Sequence, residues 1–273
     1  MASPSDTPAE GRLTTLPGGP KDSKTPGIHV RAFDSKDAAG AWVAAEIVAA
    51  LTAAIAERGK ALWLGCGGTT PKPVYERLGD DAAFDWDAVQ LAQVDERFVP
   101  TDDARSNTRM MREALAHVLS EDDLGEGGGP GMELISLIED ITDQDNCAAM
   151  AQATLLDIGD GQAPTFDFAL LGMGPDGHYA SIFPNHAINA FVYDTKALVL
   201  PVAPSGTDAE PVWPRITLSA PAINRSRRIV FFITGQAKLD ILKTLGAVTD
   251  PYASPVGAFL AQCPVPVEFV WAA

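Results

Sequence analysis

Positive charge is scarce: 20 Lys and Arg stand against 36 Asp and Glu in 273 residues, a formal net charge of −16. This argues against a nucleic-acid partner, because neutralising a phosphate backbone needs a basic face. A small phosphorylated ligand is still allowed, since a few cations in a cleft can reverse the local field. Cysteine is also sparse. Cys66, Cys147 and Cys263 are far apart and form no CxxC pair, a pattern that fits reduced thiols in a cytoplasmic setting better than a disulfide framework. Neither HExxH nor a Cys/His pair at ligand spacing occurs, so no metal is expected. No apolar run approaches the length that spans a bilayer, and no membrane association is expected. Residues 1–27 show no apolar segment behind a basic start, as a secretory signal would. They are rich in Pro, Ser, Gly and Thr and read as a flexible leader.

From residue 28 to 273 the chain reads as one α/β domain. Residues 28–33 (IHVRAF) suit a strand. Val43, Ile47, Leu51 and Ile55 recur at four-residue spacing across 36–58, which is a helix with one buried face. Further strands are expected at 61–64, 88–94, 133–138, 166–171, 197–202, 228–234 and 267–271. Helices are expected after Pro71, from Asn107 through Val118, over 143–157 and over 236–245. Ser106 and Asn107 are suitable caps, and the glycines of 125–131 mark a surface loop. This alternation implies a mostly parallel sheet with helices on both faces. Ligands of such sheets lie beyond the carboxyl ends of the strands.

Three loops follow strand ends: GCGGTTP (65–71), VDERFVPTDDARSN (94–107) and LGMGPDGHYASIFP (171–184). TGQAK (234–238) joins them. In the first, Gly67 and Gly68 let backbone amides turn toward an anion, Thr69 and Thr70 add hydroxyls, and a helix N-terminus follows. No GK[ST] completes a nucleotide loop there. A turn made only to change direction competes with this reading. In the second loop, Asp95 follows the buried-looking Val94 and is placed in the crevice, Glu96 turns away, and Arg97 supplies a phosphate-matching fork. Solvated charges are the competing reading. In the third, His178 stands among Gly172, Gly174 and Gly177. Histidine accepts a proton near neutral pH, and Asp176 or Asp95 would orient its ring. His29, His117 and His186 have no such surroundings. Cys66, near a helix N-terminus, reads as a packing residue because no base partner is evident. Arg215, at a strand start beside the TLS run, is a further candidate.

GCGGTTPKPVYERL, QVDERFVPTDDARSNTRMMREAL, FALLGMGPDGHYASIFP and PRITLSAPAINRSRRIVFFITGQAKLDIL occur in the order and spacing of the 6-phosphogluconolactonase family. The chain resembles that family over roughly residues 28–271. The resemblance implies a Rossmann-like α/β fold shared with glucosamine-6-phosphate deaminase. It also implies hydrolysis of 6-phospho-D-glucono-1,5-lactone in the oxidative pentose phosphate pathway, without a cofactor. It makes His178 the base, Arg97 and Lys238 anion ligands, and Gly67, Gly68 and Thr69 the glycine loop. Cys66 and Thr69 depart from the smaller residue and the Ser that the family often carries. The deaminase, the main alternative, follows its DGH turn with an acid in an N-E-P context, where YASIFP stands here. A sugar-phosphate-sensing regulator on the same scaffold would need a DNA-binding segment, and none is present. The expected partner is a small phosphorylated sugar lactone, and the chain is expected to be a monomer or small homo-oligomer.

Overall fold

A computed structural model describes residues 9–16, 28–81, 83–120, 123, 131–206, 210–245 and 250–273. Its main sheet has eight strands: β1 (Arg12–Leu16), β2 (Ile28–Phe33), β3 (Ala61–Gly65), β4 (Val89–Gln93), β6 (Glu133–Ile135), β7 (Phe168–Leu171), β10 (Ile229–Thr234) and β11 (Val267–Ala272). Their order is β1-β2-β11-β10-β7-β3-β4-β6. All neighbours run parallel except β1, which pairs antiparallel with β2. Part of the supposed leader therefore belongs to the sheet; 1–8 and 17–27 lie outside the described residues.

The helices are α1 (Lys36–Arg58), α2 (Lys72–Gly79), α3 (Asn107–Ala114), α4 (Gln144–Ile158), α5 (Ala220–Ile223), α6 (Gln236–Thr244) and α7 (Pro255–Gln262). Ser35 caps α1 by accepting from the Ala38 amide at 3.1 Å, and Gly59 ends it in the left-handed conformation at φ 74°. By length and composition α1 is apolar enough to cross a membrane, which corrects the sequence reading. In the fold, however, Trp42, Val43, Ile47 and Leu51 are buried and α1 packs on β2, β3 and β11, as a core helix does. α3 stops at Ala114, earlier than expected. Leu115 and Val118 are still buried, but the chain unwinds so that Leu119 can bridge Met132, with the Met132 amide donating to the Val118 carbonyl at 2.7 Å. His117 thus lies exposed in a turn. Of the expected loop at 125–131, only Gly131 lies within the described residues.

A second, antiparallel sheet contains β5 (Asp95–Arg97), β9 (Arg215–Leu218) and β8 (Val199–Val202), in the order β5-β9-β8. The DER run is therefore a strand rather than a loop. The chain leaves β4 at Val94, whose amide donates to Gly65 O at 2.9 Å and whose carbonyl accepts from the Leu218 amide at 2.8 Å. Val94 thus hinges one sheet to the other.

From β3 the chain builds outward through β4 and β6. It then returns to β7 on the opposite side of β3 and continues through β10 and β11. The β3–β7 boundary is the switch point, where two strand ends feed loops in opposite directions and leave a crevice. GCGGTTP follows β3 and GMGPDGH follows β7.

Candidate active site

The loop after β3 is shaped by close approach. A Cβ on Gly67 would stand 1.8 Å from Asn107 Oδ1, so only glycine lets the first residue of α3 press against the loop. Gly68 has φ +109°, in the left-handed region that favours glycine. Tyr75 donates its hydroxyl to Cys66 O at 2.7 Å and ties the loop to α2. Among the described residues, no acceptor meets the amides of Gly67, Gly68, Thr69 or Thr70. Four unpaired donors ahead of a helix form a concavity suited to an anion. Burial, followed by the charge of Asp95, pushes the Cys66 thiol far above its ordinary range. That is the environment of an inert packing cysteine.

Strand geometry sorts the DER run. Successive side chains point to opposite faces, so Asp95 and Arg97 line the cleft while Glu96 turns the other way. Glu96 is not solvated but fully buried. Its carboxylate accepts from the amides of Arg97 (2.7 Å), Asn107 (2.8 Å) and Thr108 (2.7 Å). It also accepts from the hydroxyls of Ser106 (3.0 Å) and Thr108 (3.0 Å) and from Gln93 Nε2 (3.1 Å). Glu96 therefore fastens the DER strand to the SN cap of α3. Asn107 Nδ2 adds a bond to Asp95 O at 3.0 Å.

Arg97 and Arg215 are direct cross-strand partners in the β5–β9 ladder. Like charges directly opposite each other are destabilising without an anion between them. Both Nε atoms are buried without a protein partner among the described residues. Arg97 Nη1 donates to the Arg105 carbonyl. Arg215 reaches Glu210 Oε2 at 3.2 Å and lies 4.0 Å from Asp95 Oδ2. Burial lowers its pKa, against the pull of Asp95. Asp95 is buried and accepts from Ser181 Oγ at 2.6 Å.

The loop after β7 is a tight turn. The Gly174 amide donates to His178 O at 2.9 Å, and Gly177 has φ +82°. A Cβ on Gly174 would stand 2.2 Å from His178 Nδ1, so a side chain there would displace the imidazole. Tyr179 roots the turn in the core against Phe259, with ring centroids 4.8 Å apart. Asp176 Oδ1 meets His178 Nδ1 at 2.6 Å and also accepts the His178 amide at 3.1 Å. Burial pushes the Asp176 carboxyl up, but the hydrogen bond and charge of His178 outweigh it and hold the pKa below its ordinary value. Of the two candidates for orienting the imidazole, Asp176 makes the contact, while Asp95 is bound to Ser181.

Gly67, Gly68, Thr69, Asp95, Arg97, His178, Arg215 and Lys238 all line one cleft of about 230 Å³, with Asp176 behind His178. Lys238 sits in the first turn of α6 and has no ion pair or hydrogen bond among the described residues. Burial lowers the pKa of its amine, against the pull of the Asp176 carboxylate. The sequence reading gave no site role to Ser181, to Phe183 or to Asn107, which it named only as a helix cap. Of the other histidines, His186 is a structural cap: its Nδ1 accepts from the Ile188 amide at 3.3 Å, and its Nε2 meets Ala203 O at 3.0 Å. No cluster of His, Cys, Asp and Glu able to hold a metal occurs among the described residues.

Residues 34–271 match the family described as glucosamine-6-phosphate isomerases/6-phosphogluconolactonase. The 6-phosphogluconolactonase of Caulobacter vibrioides is 38% identical over 247 residues, covering 90% of this chain and 97% of that protein. The 6-phosphogluconolactonase of a Synechocystis species is 36% identical over 208 residues, covering 75% and 78%. The crystal structure of a 6-phosphogluconolactonase from Shewanella baltica superposes with a TM-score of 0.78 at 31% identity, covering 94% of this chain and all of the other. The three relatives carry the lactonase name rather than the isomerase name. With the match spanning nearly the whole domain, the chain belongs to the glucosamine-6-phosphate isomerase/6-phosphogluconolactonase family.

Proposed function

We propose that the cleft hydrolyses 6-phospho-D-glucono-1,5-lactone to 6-phospho-D-gluconate, the lactone-opening step of the oxidative pentose phosphate pathway, with His178 as general base. One observation carries this reading: an Asp176–His178 pair at 2.6 Å opens into a cleft also lined by Arg97, Arg215, Lys238 and the glycine-loop amides. A proton acceptor beside an anion-binding surface is what opening a phosphorylated ester requires.

Asp176 accepts a hydrogen bond from Nδ1–H, which leaves Nε2 as the lone-pair nitrogen. A water gives its proton to Nε2 while its oxygen attacks C1 of the lactone. The tetrahedral intermediate then expels the ring oxygen, which takes the proton back from His178. The new carboxylic acid loses its own proton to solvent. A positioned base of this kind contributes typically 10²–10⁴-fold. Glycine-loop amides are available to stabilise the oxyanion. The cations hold the remote phosphate and bring the carbonyl into register with the water. The reaction requires only water as co-substrate.

A coupled assay with freshly generated phosphorylated lactone, run beside glucosamine 6-phosphate with ammonia detection, tests the reading. Turnover of the lactone without ammonia release is expected; the reverse pattern would assign the chain to the isomerase side of its family.

A further inference from the structure

Phe183 is 1% exposed, yet its ring touches two functional groups of the cleft rather than only the core. The His178 imidazole lies with its centroid 4.4 Å away, the planes inclined at 36°. The Arg215 guanidinium carbon lies 5.5 Å from the same phenyl centroid. The Phe183 backbone is pinned, because its carbonyl accepts from Asn189 Nδ2 at 2.8 Å and that nitrogen also reaches Pro251 O at 3.0 Å. The ring is thus a fixed shelf, and the residues it touches come from two different elements, the β7 loop and β9.

We propose that Phe183 is a positioning residue that couples the general base to the anion clamp through the negative face of its ring. An aromatic face attracts a cation within about 6 Å. Arg215 is such a cation at rest, held at one end by Glu210, and its buried Nε has no partner among the described residues. His178 becomes one at the moment it takes the proton from water, so the same ring stabilises the charge that develops in the transition state. Asp176 pairs with the imidazole from its own loop; the other charged groups of the same cleft are Asp95 and Arg97 on β5, Lys238 from α6, and Arg215 beyond the ring. An aliphatic side chain of similar bulk would fill the space but hold neither cation.

The inference rests on His178 acting as the base. The test replaces Phe183, site-specifically, with mono-, di- and trifluorinated phenylalanine, which keeps the ring's shape while draining the negative potential of its face. Activity on the phosphorylated lactone should fall stepwise with each fluorine, reaching between about two- and thirtyfold in kcat/KM, the range such contacts are worth. The loss should divide between kcat, through His178, and KM, through Arg215, while Tm stays constant. Phe183→Leu, if folded, should lie at or beyond the end of the series. A ring that merely packs would give a flat series, because volume does not change. A flat series beside an inactive His178→Ala overturns the coupling and leaves the base assignment standing. A His178→Ala protein with wild-type turnover overturns both.

Discussion

A base works only if its free nitrogen is the one that meets the water, and at the scale of single residues the Asp176 contact decides this. His178→Ala should lower kcat by about a hundredfold or more with product binding nearly intact, once spontaneous lactone opening is subtracted. Asp176→Asn keeps the size of the side chain but presents an amide to Nδ1, so it should lose part of the same factor. A His178→Ala protein with more than half of wild-type activity would remove the base from the scheme. Lys238 supplies a pH dependence whose sign can be worked out. Burial lowers its pKa, so the amine is charged and holds an anion below that value and loses the anion as pH rises through it. Affinity for 6-phosphogluconate should therefore begin to fall before an ordinary lysine titrates. Arginine stays charged far into the alkaline range, so Lys238→Arg should move the fall upward. Identical profiles for the two proteins would mean that Lys238 does not hold the anion.

At the scale of elements, the site depends on a three-residue strand held in place by a buried carboxylate. Removing Glu96 leaves three backbone amides and the Ser106 hydroxyl without an acceptor, while Gln93 Nε2 keeps Thr108 Oγ1 and the Thr108 hydroxyl keeps Ser136 Oγ. Each unsatisfied buried group costs about 1–3 kcal/mol. Glu96→Ala should therefore destabilise the protein by at least about 3 kcal/mol in denaturant unfolding, although Glu96 is not among the residues lining the cleft. Gly67→Ala should act locally, pushing Asn107 off the glycine loop and weakening anion binding more than it lowers Tm. The residues at this site were legible in the sequence, but the strand that carries Asp95 and Arg97 was not. Strands buried on both faces of a parallel sheet read as continuous apolar runs, which is why β3, β7 and β10 were found nearly to the residue. β5 is three charged residues whose partner, β9, is far along the chain, and only the tertiary pairing makes it a strand. β1 likewise owes its conformation to β2, not to any pattern of its own. α7 did carry a signal, Ser254 before Pro255. The serine caps the helix by accepting from the Gly257 amide at 3.2 Å, with proline in the first turn.

At the scale of the whole molecule, a chain of net charge −16 has to attract a phosphorylated substrate into a cleft of the opposite sign. Arg97, Arg215 and Lys238 converge there from β5, β9 and α6, three elements that the fold brings together at the β3–β7 switch point. If they hold the 6-phosphate, glucono-1,5-lactone without that phosphate should be a far poorer substrate. Charge-assisted hydrogen bonds are worth about 1.5–3 kcal/mol each, so losing two lowers kcat/KM at least about a hundredfold. Arg97→Ala, Arg215→Ala and Lys238→Ala should each weaken turnover of the phosphorylated lactone while barely changing the slow turnover of the unphosphorylated one. A double-mutant cycle between each side chain and the phosphate isolates the coupling. A residue that binds phosphate shows a coupling as large as its single effect, whereas one that only shapes the cleft loses activity equally on both lactones and shows none. Arg97 and Arg215 should also couple to each other, because they face across one ladder and share one anion. Once either is gone the anion is no longer clamped between two guanidinium groups, so the second removal should cost less than the first. Strictly additive losses for the pair would mean that the two arginines serve separate groups of the substrate, and the placement of the phosphate between them would be wrong.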